Sequence, residues 1–377
     1  MRKVFSTISC NLDTNILSAC LPLFEDEKIE AIEWSFDTLY KHKTLPDWFT
    51  ELLLTFGKDG RLIGHGVYFS LFSGLWTKEQ QDWLNHLQQV NSEFQFNHIS
   101  EHFGFMTGKD FHQGAPISVP FSSSTLRLGQ DRLKRISHAC RCPVGLENLA
   151  FSYSLDEVKR HGEFLDQLLV PVNGFIILDL HNVYCQSHNF KIAFDNLIQL
   201  YPLHRVREIH ISGGSWEDSP TDIDHQIRRD THDDSVPDDV FSFLQQTVDD
   251  CPSLKFVVLE QLGTGLAGEA KQATFRNDFL KMSNIVDKAN NDNTLSELNH
   301  FLPEPFVIST EPEEDKSLSE QQRVLSNILE TASSYTEARN SLDRSILANT
   351  SWKTENWHPD MLITAMAIAQ KWKNGFE

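Results

Sequence analysis

The residues able to do chemistry recur at one kind of place in this chain: imidazoles and carboxylates stand where short apolar runs end. His65 lies in Gly64-His65-Gly66, His102 in Ser100-Glu101-His102, and Glu147 just before Asn148. Asp179 closes the run Phe175-Ile176-Ile177-Leu178, with His181, Asn182 and His188 close behind. His210 and Ser212 belong to Glu208-Ile209-His210-Ile211-Ser212, Asp230-Thr231-His232-Asp233 forms a later cluster, and Glu260 follows Val257-Val258-Leu259. A lone buried histidine is ordinarily a hydrogen-bonded core residue, and a lone acid after a strand ordinarily caps a helix. Repetition over successive segments points instead to a shared, multinuclear metal site. Many unpaired acids in one place would repel each other and lose hydration, a balance that bound cations invert. Mixed imidazole and carboxylate donors without a cysteine pair suit iron, manganese or zinc, whereas calcium would want more oxygen.

Such residues need a scaffold that brings segment ends together. Eight apolar, strand-length segments separated by helix-compatible stretches supply it: Val4 to Cys10, Ile29 to Trp34, Leu62 to Phe69, Phe94 to Ser100, Pro143 to Glu147, Phe175 to Asp179, Val206 to Ser212 and Phe256 to Glu260. The alternation predicts an α/β fold, a TIM-like (β/α)8 barrel, whose chemistry is placed at the carboxyl ends of the strands. Helical spacing is read over Trp76 to Val90, Leu155 to Leu169 and Val240 to Val248. Ser154 followed by Glu157 predicts a capping box. After about Ala289 the pattern breaks into Asn-rich and acidic stretches, so the barrel is expected over 1–288. An acidic linker and helical C-terminal extension are expected over 289–377, with helices near Leu318 to Thr331 and Met361 to Lys373.

Composition bounds the function. The chain has 377 residues, 40% of them hydrophobic, enough for a sizeable core. No apolar run reaches the length of roughly eighteen residues that a membrane span needs. The opening Met1-Arg2-Lys3-Val4-Phe5 leads directly into a strand-like segment too short for a signal-peptide core. A net charge of −20 disfavours nucleic acid and anionic membranes as partners. Six scattered cysteines suggest free thiols in a reducing, cytoplasmic compartment.

Taken in order, His65-Gly66-Val67, Ser100-Glu101-His102, Glu147-Asn148, Asp179 with Asn182-Val183-Tyr184, His188-Asn189, Glu208-Ile209-His210, Asp230-Thr231-His232 and Glu260 resemble the DUF692 family. These are the multinuclear non-heme iron-dependent oxidative enzymes, among them the methanobactin and 3-thiaglutamate biosynthetic oxidases. The resemblance covers roughly residues 1–285 and leaves out the tail. It implies a xylose-isomerase-like barrel holding two or three iron ions in mixed Fe(II)/Fe(III) states, with dioxygen as co-substrate. The implied reaction oxidises a cysteine, or another residue, of a ribosomally synthesised precursor peptide, and family members often act with a small partner protein that presents the peptide.

By analogy with the wider class of these barrels, which includes apurinic endonucleases with three zinc ions, Glu147 would bridge two metals. His65 and His102 would complete one, and Asp179, His210 and Glu260 the other. Asp230 and His232 would serve a third ion. Where those endonucleases carry a histidine this chain has Asn182, so the missing imidazole falls to His188, which the family pattern favours, or to His181, where the family commonly has asparagine. Asn148, His181, Asn182, Ser212 and Asp233 are expected to hydrogen-bond the ligands or contact substrate. Two other readings share the scaffold: a metal-dependent hydrolase or isomerase, endonuclease IV-like or sugar isomerase-like, and a non-catalytic module in which the metals are structural.

Overall fold

The computed structural model describes residues 3–38, 44–108, 113–219, 221–222, 224–291 and 299–373. Eight strands, β1 (Phe5–Ser9), β2 (Ala31–Trp34), β3 (Leu62–Gly66), β4 (Ile99–Glu101), β5 (Val144–Glu147), β6 (Phe175–Asp179), β7 (Val206–Ile211) and β8 (Phe256–Leu259), close into a barrel in sequence order. Every neighbouring pair is parallel, and β8 closes on β1 through Phe5 opposite Phe256 and Ile8 opposite Leu259. The expected barrel is therefore present.

Two strand limits differ from expectation by three residues or more, the others by at most two. The fourth was read as starting at Phe94, but that residue ends a helix whose left-handed cap, Gln95 at φ 58°, turns the chain before β4 begins at Ile99. The third was read to Phe69 and stops at Gly66.

Side chains alternate along a strand, so residues two apart share a face. Phe175, Ile177 and Asp179 form one such set, Ile63 and His65 another, Ala31 and Glu33 a third, and Phe256, Val258 and Glu260 a fourth. Their apolar members make two small clusters, one of Phe5, Ala31, Ile63, Phe256 and Val258, the other of Phe175, Ile177 and Phe301, separate from the large cluster between sheet and helices. The polar members follow one step toward the carboxyl ends. An apolar plug thus fills one end of the barrel and ionisable groups fill the other.

The barrel is clothed by α1 (Thr14–Glu25), α2 (Asp47–Lys58), α3 (Lys78–Phe94), α4 (Ser123–Cys140), α5 (Leu155–Leu169), α6 (Leu180–Phe190), the short α7 (Phe194–Ile198), α8 (Asp238–Thr247) and α9 (Glu269–Asn291). Ser154 caps α5 by accepting from the Glu157 amide, but the Glu157 carboxylate reaches back to the Tyr153 amide at 2.9 Å, so only half of the expected box forms. Two hairpins rise at the mouth, Phe105–Met106 with Pro116–Ile117 and Trp216–Asp218 with Gln226–Arg228.

The expected helical extension is present as α10 (Lys316–Thr331), α11 (Tyr335–Asp343) and α12 (Pro359–Trp372), and the anticipated boundary at 288/289 falls inside α9. α10 docks on the loop after β3. Gln322 accepts from the Gly74 amide at 2.9 Å and donates to the Phe72 carbonyl at 2.7 Å, and a side chain on Gly74 would collide with the Ser319 amide. Cys10, Cys20, Cys140, Cys142 and Cys185 are thiols outside any disulfide. No helix among the described residues is long and apolar enough to cross a membrane.

Candidate metal centre

His65, on β3, sends Nδ1 to the Ser100 hydroxyl at 2.8 Å, and that hydroxyl donates onward to the Gly64 carbonyl. Ser100 therefore accepts, His65 carries its proton on Nδ1, and its Nε2 presents a lone pair. His102 is fixed the same way, Nδ1 donating to the Gly66 carbonyl at 3.1 Å. The two bare Nε2 atoms face each other at 3.4 Å, with Glu147 Oε2 at 3.6 Å from one and 3.4 Å from the other. Burial pushes both imidazoles below the usual histidine range, His102 to about 3, so both are neutral. Burial raises the Glu147 carboxyl well above its usual range, a cost that a cation held between the two lone pairs and the carboxylate would relieve.

A second group shares Glu147. Its Oε1 lies with Asp179, His210 and Glu260, whose ligand atoms are within 4.8 Å of one another. Asp179 has two tasks: Oδ1 caps α6 by accepting from the Asn182 amide at 2.6 Å, while the buried Oδ2 has no partner among the described residues. His210 Nδ1 lies 3.2 Å from Glu260 Oε2 but is misaligned for a hydrogen bond, and it too is without a partner. Burial, with Asp230 nearby, raises the Asp179 carboxyl to about 7. These buried, unpaired donor atoms fit divalent or trivalent ions, with Glu147 as the shared carboxylate.

Asp230 and His232 sit beside this pair of groups, with His232 Nε2 2.8 Å from Asp230 Oδ1 and Nδ1 3.8 Å from Glu260 Oε2. His232 adopts the left-handed backbone region at φ 52°, uncommon for a residue with a β-carbon, and its carbonyl is held by the Leu262 amide at 2.8 Å.

The two histidines expected to compete for this corner are placed differently. α6 starts immediately after Asp179, so His181 lies in its first turn and His188 in its last, about 10 Å further along the axis at 1.5 Å per residue. His188 Nε2 bonds the Gln226 carbonyl at 2.7 Å, and its ring stacks on His225, away from both donor groups. His181 is buried and neutral: Nδ1 pairs with Asp230 Oδ1 at 2.9 Å, and Nε2 accepts from Arg228 Nε at 3.1 Å. Both of its nitrogens are engaged, so His181 orients Asp230 instead of offering a lone pair.

The remaining expected residues divide. Asn148 and Asn182 form a buried bracket: Asn148 accepts from the Asp179 amide at 2.7 Å, and Asn182 donates to Glu147 Oε1 at 3.3 Å. Ser212 is buried with its hydroxyl unpartnered among the described residues, and Asp233 is exposed and bonds Thr231. Cys185 is a buried thiol.

Beneath His210 lies a polar column that was not anticipated. Its Nε2 meets Glu208 Oε1 at 2.9 Å and Glu33 Oε2 at 3.2 Å; Glu208 Oε2 meets His98 Nε2 at 2.6 Å, and His98 Nδ1 accepts from Arg207 Nε at 3.2 Å. Glu33 is the one acid in the buried strand Ala31–Trp34, a local signal that a charged group was needed there. Above the donor groups opens a cavity of about 270 Å³, lined among others by His102, Glu147, Asp230, His232, Arg228, Arg229 and residues of α12.

A family model described as "RiPP precursor modification enzyme MbnB/TglH/ChrH" matches residues 41–261. A UPF0276 protein of Acaryochloris marina is 29% identical over 187 residues, covering 49% of this chain and 64% of that protein. A UPF0276 protein of Shewanella loihica is 26% identical over 145 residues, covering 38% and 50%. The chain thus spans between half and just under two thirds of these relatives. A crystal structure of a xylose isomerase domain protein from Planctomyces limnophilus superposes with a TM-score of 0.50 at 12% identity, covering 77% of this chain and 99% of that one, a likeness of fold alone.

Proposed function

The chain belongs to the RiPP precursor modification enzyme family MbnB/TglH/ChrH, and from that premise we propose that it is a multinuclear non-heme iron oxidase that uses dioxygen to modify a cysteine, or another residue, of a ribosomally synthesised precursor peptide. The observation that carries this reading is the pair of donor groups sharing Glu147: His65, His102 and Glu147 on one side, and Glu147, Asp179, His210 and Glu260 on the other. All donors are imidazole or carboxylate, a set suited to iron in two oxidation states. Bound iron would supply the one-electron and dioxygen chemistry that no side chain offers.

The protein's own part is orientation and exclusion of water. Ser100 and the Gly66 carbonyl hold the two imidazoles with Nε2 inward. Glu208 holds His210 by its other nitrogen, leaving Nδ1 toward Glu147 and Glu260. Asp230 and His232 are the residues for a third ion, with His181 and Arg228 orienting the carboxylate. The cavity above receives the peptide. We place the reaction in the cytoplasm, where thiols such as Cys10, Cys20, Cys140, Cys142 and Cys185 stay reduced. A small presenting protein is a further partner in this scheme.

The test is dioxygen uptake by the iron-loaded enzyme with a cysteine-containing precursor peptide, and with the same peptide carrying serine instead. Uptake with the first alone is expected. Turnover that continues without dioxygen would support a hydrolase or isomerase on the same barrel.

A further inference from the structure

The cavity over the metal ligands is walled on one side by the C-terminal extension. Met361, Thr364, Ile368, Lys371 and Trp372 line it, all from α12. Their spacing is that of a single stripe on one helix face. The family match stops at residue 261, so this wall comes from outside it.

The wall is fixed at both ends. At its start, Asp360 accepts hydrogen bonds from the Ser219 and Thr221 hydroxyls, His358 donates its amide to the Tyr153 carbonyl at 2.8 Å, and Trp357 stacks on Tyr153 at 3.7 Å. At its end, the Trp372 carbonyl accepts from the Gly114 amide at 2.8 Å, and Gln370 donates to the Leu329 and Ala332 carbonyls. A helix pinned in this way is a permanent surface of the cavity.

Its chemistry is selective. Thr364 is 5% exposed, yet its hydroxyl has no hydrogen-bond partner among the described residues. Met361 and Ile368 offer apolar surface. Three cations border the same space: Lys371 from α12, and Arg228 and Arg229 from the mouth hairpin and its end. Arg228 is buried over the Trp216 ring at 4.9 Å, and its Nε bond goes to His181 instead of a carboxylate. Arg229 is paired with Glu217, and Glu147 and Asp230 line the same space, so Arg228 and Lys371 are the cations of this lining without a carboxylate partner among the described residues. At about 270 Å³ the space admits a short peptide segment.

We propose, resting on the peptide-oxidase reading, that α12 is a built-in substrate-selecting wall. It receives a precursor segment in which an apolar residue packs on Met361 and Ile368, and an acidic side chain beside the modified residue faces Arg228 and Lys371.

The test uses the iron-loaded full chain and two labelled cysteine peptides, identical except for Asp-Leu or Lys-Leu next to the cysteine, with affinity read by fluorescence anisotropy and dioxygen uptake recorded on the same samples. The acidic peptide should bind about three- to tenfold more tightly. Lys371→Glu, an exposed position, should remove or reverse that preference, and Ile368→Trp should weaken both peptides with iron content unchanged. Equal affinities, no detectable binding, or variants without effect would overturn the proposal. Selective binding without dioxygen uptake would sustain the wall and sink the oxidase reading, whereas uptake with binding unchanged in both variants would do the reverse.

Discussion

His65 Nε2 and His102 Nε2 stand 3.4 Å apart with neither able to donate, because each ring already spends its proton on the other side, at Ser100 and at the Gly66 carbonyl. This arrangement costs free energy in an empty site and is repaid by a cation. His102→Ala should therefore leave the metal-free protein within about 1 kcal/mol of wild type, while the rise in melting temperature on adding iron shrinks. Differential scanning calorimetry with and without iron checks both halves. A large loss of metal-free stability would mean that the pair is structural.

Glu208 joins His210 to His98 inside the barrel. Glu208→Leu should leave His98 without its acceptor and His210 with Glu33 alone, and lower stability by about 3 kcal/mol, as expected for breaking a buried network from one side. Glu208→Gln, which keeps one acceptor, should recover part of that loss. Chemical denaturation of the two variants gives the comparison, and equal stability would contradict the column.

The two histidines of α6 make opposite predictions. His188→Ala should keep the iron content of wild type, since its imidazole bonds the Gln226 carbonyl. His181→Ala should weaken metal binding by roughly ten- to a hundredfold, the usual cost of losing the group that orients a ligand, because Asp230 then loses a hydrogen bond that fixes it. Competition with a chelator, read by metal analysis, separates the cases.

These residues also show what was legible in the chain. The run Phe175 to Leu178 ended by Asp179 announced a strand with a carboxylate at its mouth end, and both the barrel and the convergence of acids and imidazoles around Glu147 could be read from such endings. The start of α6 directly at Asp179 carried no comparable signal, and it is this helix that swings His188 two turns away. Glu33 stood in plain view as an acid in a buried strand and was passed over because its partners, His210 and Glu208, come from β7 across the barrel. The roof formed by α12 could not be read at all: the tail shows helical spacing, but nothing local says which surface that stripe will meet.

Away from the metal site, burial raises the Glu157 carboxyl to about 7, opposed by the Tyr153 amide that it accepts. Its folded value lies above its unfolded one, so its contribution is fully present below about pH 4.5 and is lost as pH rises through about 7. Partial exposure of the side chain limits the effect to about 1–2 kcal/mol. Glu157→Gln should flatten this part of the stability profile, making the variant relatively more stable at pH 8 than at pH 4, as urea titrations at the two pH values would show. An unchanged profile would contradict a buried neutral carboxyl.

The central claim is that the groups meeting at Glu147 hold iron for oxidation. Its most direct test is metal analysis of the freshly purified chain beside its Glu147→Gln variant, with turnover of the precursor peptide followed in air and under argon. The account predicts two or three iron ions per chain, loss of iron in the variant because both groups lose their shared carboxylate, and turnover in air alone. Stoichiometric zinc in the wild type, with turnover the same under argon, would contradict it.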